Sequence, residues 1–233
     1  MGNYTLQVKL LNLITIVNRW IIKYKYIVFD FNGTIIDDVQ LCLDLLNEML
    51  EVENLPLVSY SRYKEIFTFP IIEYYKRAGF TFKNRSFKEM SEWFVKKYQP
   101  ASFKCNLFDG IKETITSLKE EGYKVILLSA SQIDNLKEQT NRFNITYLFD
   151  EILGIDNIEA KSKLEIARRY FYENKIDTKE CLFIGDSTHD YEVGSTLGGD
   201  IILVTYGHQS KQVLSSCNVP LIDEISKVRE YLW

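Results

Sequence analysis

The sequence has few of the residues that mark cross-linked, all-β or membrane-spanning chains. Of its 233 residues only 4 are proline and 11 glycine, which disfavours an all-β chain built on many Gly/Pro turns. Cysteine is equally sparse. Cys42, Cys105, Cys181 and Cys217 are widely scattered with no C-x-x-C spacing, which argues against a zinc knuckle or a disulfide framework and suits a reducing, cytoplasmic setting. Charge of one sign is lacking too. The net charge is −4, from 28 basic and 32 acidic residues, so there is no broad basic surface for nucleic acid. Histidine occurs only at His189 and His208.

A long uninterrupted apolar run is also missing. Residues 1–29 carry four bases and no acid, and Leu6, Leu10, Leu13, Ile14, Val17 and Ile21 recur at helical spacing. Asn12, Asn18 and Arg19 interrupt the stretch, so it is too short and too polar to span a bilayer. No small-residue cleavage site follows it, and Leu6 stands where a myristoylation motif requires Ser or Thr. The expectation is a leading helix packed on the domain. A weaker alternative lays residues 6–22 on a membrane surface or in a partner's groove.

What the sequence does contain is a strand–helix alternation. Four short apolar runs, 26–29, 125–128, 181–184 and 201–204, are continuous rather than alternating, as in parallel strands covered on both faces. Ile111, Ile115 and Leu118 mark a helix ending near Gly122, and Ser162-x-x-Glu165 reads as a capping box opening another. Together they predict an α/β fold, a doubly wound Rossmann-like parallel sheet. Residues 38–105 break the rhythm with aromatic-rich helical patterns and no strand run, and read as an all-helical cap inserted after the first strand. The expected division is therefore a helical extension over 1–24, a sheet domain over 25–37 and 106–233, and a cap over 38–105.

Polar residues gather where such sheets bind ligands, beyond the strand ends. Asp30-Phe31-Asn32-Gly33-Thr34 follows the first run and Ser129-Ala130-Ser131 the second. Lys161 and Lys163 precede the capped helix, and Gly185-Asp186-Ser187-Thr188-His189-Asp190 follows the third run. This set suits phosphoryl transfer to a carboxylate. Asp30 attacks phosphorus, Asp186 adds a second carboxylate for Mg²⁺, and Asp190, one helical turn on, orients metal-bound waters. Ser129 and a lysine hold the phosphoryl oxygens, and Gly33 permits close backbone approach.

These residues resemble the motifs of the haloacid dehalogenase-like hydrolase superfamily, in particular its phosphoglycolate-phosphatase-like branch. The pattern is D-x-D-G-T, then a Ser or Thr after an apolar strand, then a Lys, then G-D-x-x-x-D, with a helical cap between the first two. The likeness runs from about Lys25 to the C-terminus. It implies a Mg²⁺-dependent phosphatase of a small phosphorylated metabolite, with an aspartyl-phosphate at Asp30. Mg²⁺ would be bound by Asp30, Asp186 and the Asn32 backbone carbonyl, with Asp190 behind them. Gly33, Ser129, Ala130 and the lysine would hold phosphate. Both Lys161 and Lys163 stand at distances from Asp186 that the family uses, and Lys163, in the first turn of the capped helix, is preferred.

One position departs from that pattern. Asn32 stands where the family has its acid/base Asp, and an amide transfers no proton. General acid–base catalysis is commonly worth ~10²–10⁴-fold. Either turnover is weak, or another group, with His189 the nearest candidate and His208 at the cleft rim the next, has taken the role. A phosphonatase-like C–P hydrolase tolerates a non-acid there but needs a Schiff-base lysine on the cap, from Lys64, Lys76, Lys83 or Lys88. A phospho-ligand-binding sensor without turnover is the remaining alternative. Arg62, Arg77 and Arg85 are the cap arginines available to an anionic substrate group.

Overall fold

The four apolar runs lie side by side as parallel strands in a computed structural model, which describes residues 23–155 and 162–232. The expected N-terminal helix, its surface-binding alternative and Lys161 lie outside the described residues. In chain order, β1 (Tyr26–Phe29) leads through β2 (Ile36–Asp37) into the helices α1 (Val39–Val52), α2 (Tyr60–Ile66), α3 (Ile71–Ala78) and α4 (Phe87–Ser102). The chain returns by β3 (Asn106–Leu107) and α5 (Ile111–Glu120) to β4 (Lys124–Gln132), α6 (Ile133–Arg142) and β5 (Glu151–Ile155). Then follow α7 (Lys163–Glu173), β6 (Cys181–Gly185), α8 (Thr188–Leu197), β7 (Asp200–Val204), the short α9 (Lys211–Leu214) and β8 (Leu221–Ile222). The sheet order is β5-β4-β1-β6-β7-β8, and every pairing is parallel.

The continuous apolar runs bury both faces because alternate residues point to opposite sides of a strand. Ile27, Phe29, Val125, Leu127, Leu182 and Ile184 enter one core with Ile111, Ile115 and Leu118 of α5. Val28, Ile126, Leu128, Phe183 and Leu203 enter the other with Ile166, Ala167 and Phe171 of α7 and Val193 of α8. Helices on both faces make the sheet doubly wound. β5 and β8 had no signal of their own. β5 lies at the sheet edge and contains Glu151 and Gly154, and β8 has two residues.

Residues 39–102 are helical, and their buried side chains form a third core. Val39, Leu43, Leu46 and Leu50 recur at the helical period along α1, and they meet Tyr63, Tyr74, Tyr75 and Met90. A capping box between Ser86 and Glu89 starts α4. This helical layer connects to the sheet through the antiparallel pair β2–β3, with Ile36 opposite Leu107 and Asp37 opposite Asn106. It is also tied across the cleft. Gln209 Nε2 donates to Phe67 O at 2.8 Å and Ser210 N donates to Lys64 O at 2.9 Å. Among the described residues no helix is long and apolar enough to cross a membrane.

Leu127 is fully buried in β4 between two paired strands. Leu127→Ala should lower the unfolding free energy by about 2–5 kcal/mol in urea denaturation. A loss under about 1 kcal/mol would contradict this packing.

Candidate active site

The chain runs outward from β1 to β4 and β5 on one side, then crosses to β6, β7 and β8 on the other. The carboxyl ends of β1, β4 and β6 therefore border the crevice where open α/β sheets bind ligands. Asp30 follows β1, with its N–H donating to Ile184 O at 2.8 Å. Ser129 lies within β4, whose pairing with β5 shifts register between Leu128 and Gln132, so Ser129 is part of an irregular strand end rather than a helix cap. Asp186 follows β6, and Asp190 stands in the first turn of α8. There Ser187 and Asp190 form a capping box, with Ser187 Oγ donating to Asp190 Oδ2 at 2.6 Å.

Lys163 opens α7 directly after Ser162, whose Oγ accepts from Glu165 N at 3.2 Å. Its Nζ donates to Asp30 Oδ1 and to Asp190 Oδ1, both at 2.5 Å. Oxygens of Asp30, Asp186 and Asp190 all lie within 4.8 Å of one another. Burial, with the Asp190 and Asp186 charges adding to it, pushes Asp30 up to about 8 against the pull of Lys163. Burial also raises Asp186 to about 6, with Asp190 and Asp38 adding to it and His208 opposing. Three converging carboxylates against one lysine leave a surplus of negative charge, and a hard divalent cation fits that donor set. Two glycines let the loops close on Asp186. Gly33, at φ +71°, and Gly207 both lie where a Cβ would overlap Asp186 Oδ2.

The Asn32 amide is fully engaged. Its Nδ2 donates to Asp38 Oδ2 at 2.8 Å and to Tyr98 OH at 2.6 Å, and its Oδ1 accepts from Ser131 Oγ at 3.1 Å. Asp38, first read only as the start of the cap, is a second polar centre. It accepts from Gly33 N at 2.9 Å and from Tyr98 OH at 2.6 Å, and His208 Nε2 is 3.2 Å from its Oδ1. Burial alone would raise Asp38, but His208 and the hydrogen bonds from Tyr98 and Asn32 outweigh it and hold it below its ordinary value. His208 responds in kind. Burial disfavours its charge, yet Asp38 lifts it to about 9.

The placing of His208 corrects the reading of it as a rim residue. It is 3% exposed, its Nδ1 lies 2.7 Å from Tyr63 OH, and its backbone N–H donates to Asp186 Oδ2 at 2.5 Å. The signal available was the Tyr206–Gln209 segment after an apolar run, but nothing in sequence linked it to Asp38. His189 faces the same cleft from α8. It stacks on Phe69 at 4.5 Å, and burial lowers its pKa below the usual histidine value.

A cavity of about 380 Å³ joins these groups, lined by Asp30, Asn32, Asp38, Ser129, Ala130, Lys163, Asp186, His189, Asp190 and His208 and roofed by aromatic side chains of α2 to α4. The cap arginines singled out in sequence do not line it. Arg62 and Arg85 pair with Glu65 and Glu53, and Arg77 is exposed. The four cap lysines of the phosphonatase reading are absent from its lining as well. Lys64 donates to the Thr205 and Tyr206 carbonyls, Lys76 and Lys88 pair with Glu73 and Glu92, and Lys83 is exposed. Gly33 N–H is shared between Asp38 Oδ1 and Ile36 O.

The sequence profile of the haloacid dehalogenase-like hydrolases matches residues 27–204. The chain belongs to this family. Its curated relatives lie in the phosphoglycolate-phosphatase-like branch of these hydrolases. The phosphoglycolate phosphatase of Haemophilus influenzae is 26% identical over 199 residues, covering 80% of this chain and 88% of that protein. That of Pasteurella multocida shows the same identity and coverage. Among solved structures, a haloacid dehalogenase-like hydrolase from Streptococcus pneumoniae superposes with a TM-score of 0.78 at 15% identity, covering 91% of this chain and 99% of that one.

The raised carboxyls give the metal-free protein a defined pH dependence. Protonated Asp30 and Asp186 favour the fold, fully so below the unfolded carboxyl value of about 3.9, and this is lost as pH climbs through about 6 and about 8. His208, raised by Asp38, acts in the same direction, its contribution present below about 6.5 and lost through about 9. Chelator-treated protein should therefore melt at lower temperature at pH 8 than at pH 6. Added Mg²⁺, competing with those protons, should raise the melting temperature more at pH 8. Asp186→Ala should abolish the Mg²⁺ effect. A Mg²⁺ effect equal at both pH values, or surviving Asp186→Ala, would count against this site.

Proposed function

We propose that the protein is a Mg²⁺-dependent phosphatase of small phosphorylated metabolites, working in the cytoplasm through an aspartyl-phosphate at Asp30. The carrying observation is the Asp30 carboxylate at the end of β1, hydrogen-bonded to Lys163 in a cavity that Ser129 and Asp186 also line. The names of its phosphoglycolate phosphatase relatives support the same reaction class. All four cysteines are free, in keeping with a reducing compartment.

Asp30 Oδ attacks phosphorus and the ester oxygen departs. Water then cleaves the acyl phosphate, returning Asp30 and releasing phosphate. Lys163 holds the attacking carboxylate in place and offsets the charge of the phosphoryl oxygens, and Ser129 and Ala130 flank those oxygens. Asp30, Asp186 and the Asn32 backbone carbonyl are the groups that would hold Mg²⁺, which when bound supplies Lewis-acid stabilisation of the phosphoryl charge. Asp190 fixes Lys163 and the backbone at 186–187. Gly33, with its N–H committed, serves close packing against Asp186 rather than contact with phosphate. His189, neutral near pH 7 and on the cavity wall, is our choice for the base that takes a proton from the attacking water in place of an acid at Asn32. Without a lysine from the cap on the cavity wall, the phosphonatase alternative has no support among the described residues.

Asp30→Asn should abolish Mg²⁺-dependent phosphate release. Asn32→Asp sets a carboxyl against Asp38, 2.8 Å from the present amide nitrogen. Two such groups share a proton, so the new one stays protonated near neutral pH and can serve the leaving oxygen. Turnover of an alkyl phosphate should rise, by at most ~10²–10⁴-fold, and His189→Ala should lower the wild-type rate. Peptide mass must confirm Asn32, since Asn-Gly deamidates. If Asp30→Asn and the unaltered protein are equally inactive while phosphate still binds, the protein is a sensor.

A further inference from the structure

The cavity has two unlike halves. At the sheet, Asp30, Ser129, Lys163 and Asp186 suit a phosphoryl group. Toward the cap, the wall is mostly apolar, with Phe67, Phe69, Ile71, Tyr75, Phe87 and Phe94 prominent, and its polar members, among them Ser91, Gln99, Gln132 and Asn135, are uncharged. Among the described residues, Lys163 is the only lysine or arginine on the cavity wall, and both its contacts go to carboxylates at the phosphoryl end. The charge of His208 is met by Asp38. Several of the cap's basic side chains pair away from the cavity, Arg62 with Glu65, Lys76 with Glu73, Arg85 with Glu53, and Lys97 with Glu48 and over the Trp93 ring.

Resting on the phosphatase reading above, we propose that this cap half selects an uncharged, largely apolar leaving group, so that the substrate class is an aryl or alkyl phosphate monoester. A second anion on the substrate is disfavoured. A carboxylate placed there would lose its water against aromatic faces, which carry negative charge density, and would meet no lysine or arginine among the described residues. Two buried hydroxyls on that wall, Tyr74 OH of α3 and Ser91 Oγ of α4, have no hydrogen-bond partner, which suits a neutral polar substituent. Phosphoglycolate, the substrate named for the relatives, carries a carboxylate on its leaving group, so the inference separates this chain from those names.

The test compares two non-hydrolysable probes on the full chain with Mg²⁺, by calorimetry. Benzylphosphonate mimics an aryl ester, and 3-phosphonopropionate mimics phosphoglycolate. Benzylphosphonate should bind at least about tenfold more tightly. Val95, on the cavity wall and 47% exposed, accepts a long side chain without disturbing the core, so Val95→Arg should narrow that ratio. Equal or tighter binding of 3-phosphonopropionate by the unaltered protein overturns the inference and leaves the phosphatase reading intact. The same holds if inorganic phosphate binds and benzylphosphonate does not. An unchanged ratio in Val95→Arg overturns the charge argument behind it. If phosphate and both probes all fail to bind, the phosphatase reading falls, and this one with it.

Discussion

The ammonium group of Lys163, held between the carboxylates of Asp30 and Asp190, is the contact on which the site depends. Three elements distant in sequence meet there: the end of β1, the first turn of α7 and the first turn of α8. None of the three carboxylates would be tolerated at this burial without a compensating cation. One lysine balances part of their charge, and the remainder fits a divalent cation, as the proposed phosphoryl transfer requires. Lys163 also restrains Asp30, so that the proposed nucleophile is held in place by the protein itself.

A second buried pair, Asp38 with His208, organises the cap side. Asp38 comes at the junction of β2 and α1, and His208 lies in the loop after β7, so their contact joins the cap's entry to the sheet. The Asn32 amide belongs to this pair as much as to the nucleophile's loop. With Asp38 at 2.8 Å, an aspartate at position 32 would have to hold a proton to avoid a like charge, whereas the amide donates to Asp38 without titrating. The replacement of an acid by Asn32 is thus electrostatically matched to Asp38, even though it removes a proton-transfer group.

Much of this was legible in sequence, and the reasons differ by element. The central strands were visible because a strand covered on both faces is apolar at every position, as in Val28-Phe29 and Phe183-Ile184. Lys163 and Asp190 could be named because helix caps fix where a first turn begins. β5 escaped because an edge strand needs no continuous apolar run. The partnership of Asp38 and His208 escaped because the two are far apart in the chain, and pairing across that distance leaves no periodicity to read. The cap's aromatics were seen but not their division. Tyr63 and Tyr74 are buried in its core and also reach the cavity, Phe87 and Phe94 pack on that core from the cavity wall, and Phe69 lines the cavity against His189, and composition does not separate these places.

The central claim is that Asp30 carries the phosphoryl group as an acyl phosphate during turnover. The direct measurement is to quench the protein during turnover of phenyl phosphate with Mg²⁺, reduce it with borohydride and map the reduced residue by peptide mass. The account predicts homoserine at position 30, and none in a control without substrate. Reduction at Asp38 or Asp186 instead, or phosphate release with no reducible acyl phosphate at any position, would contradict it.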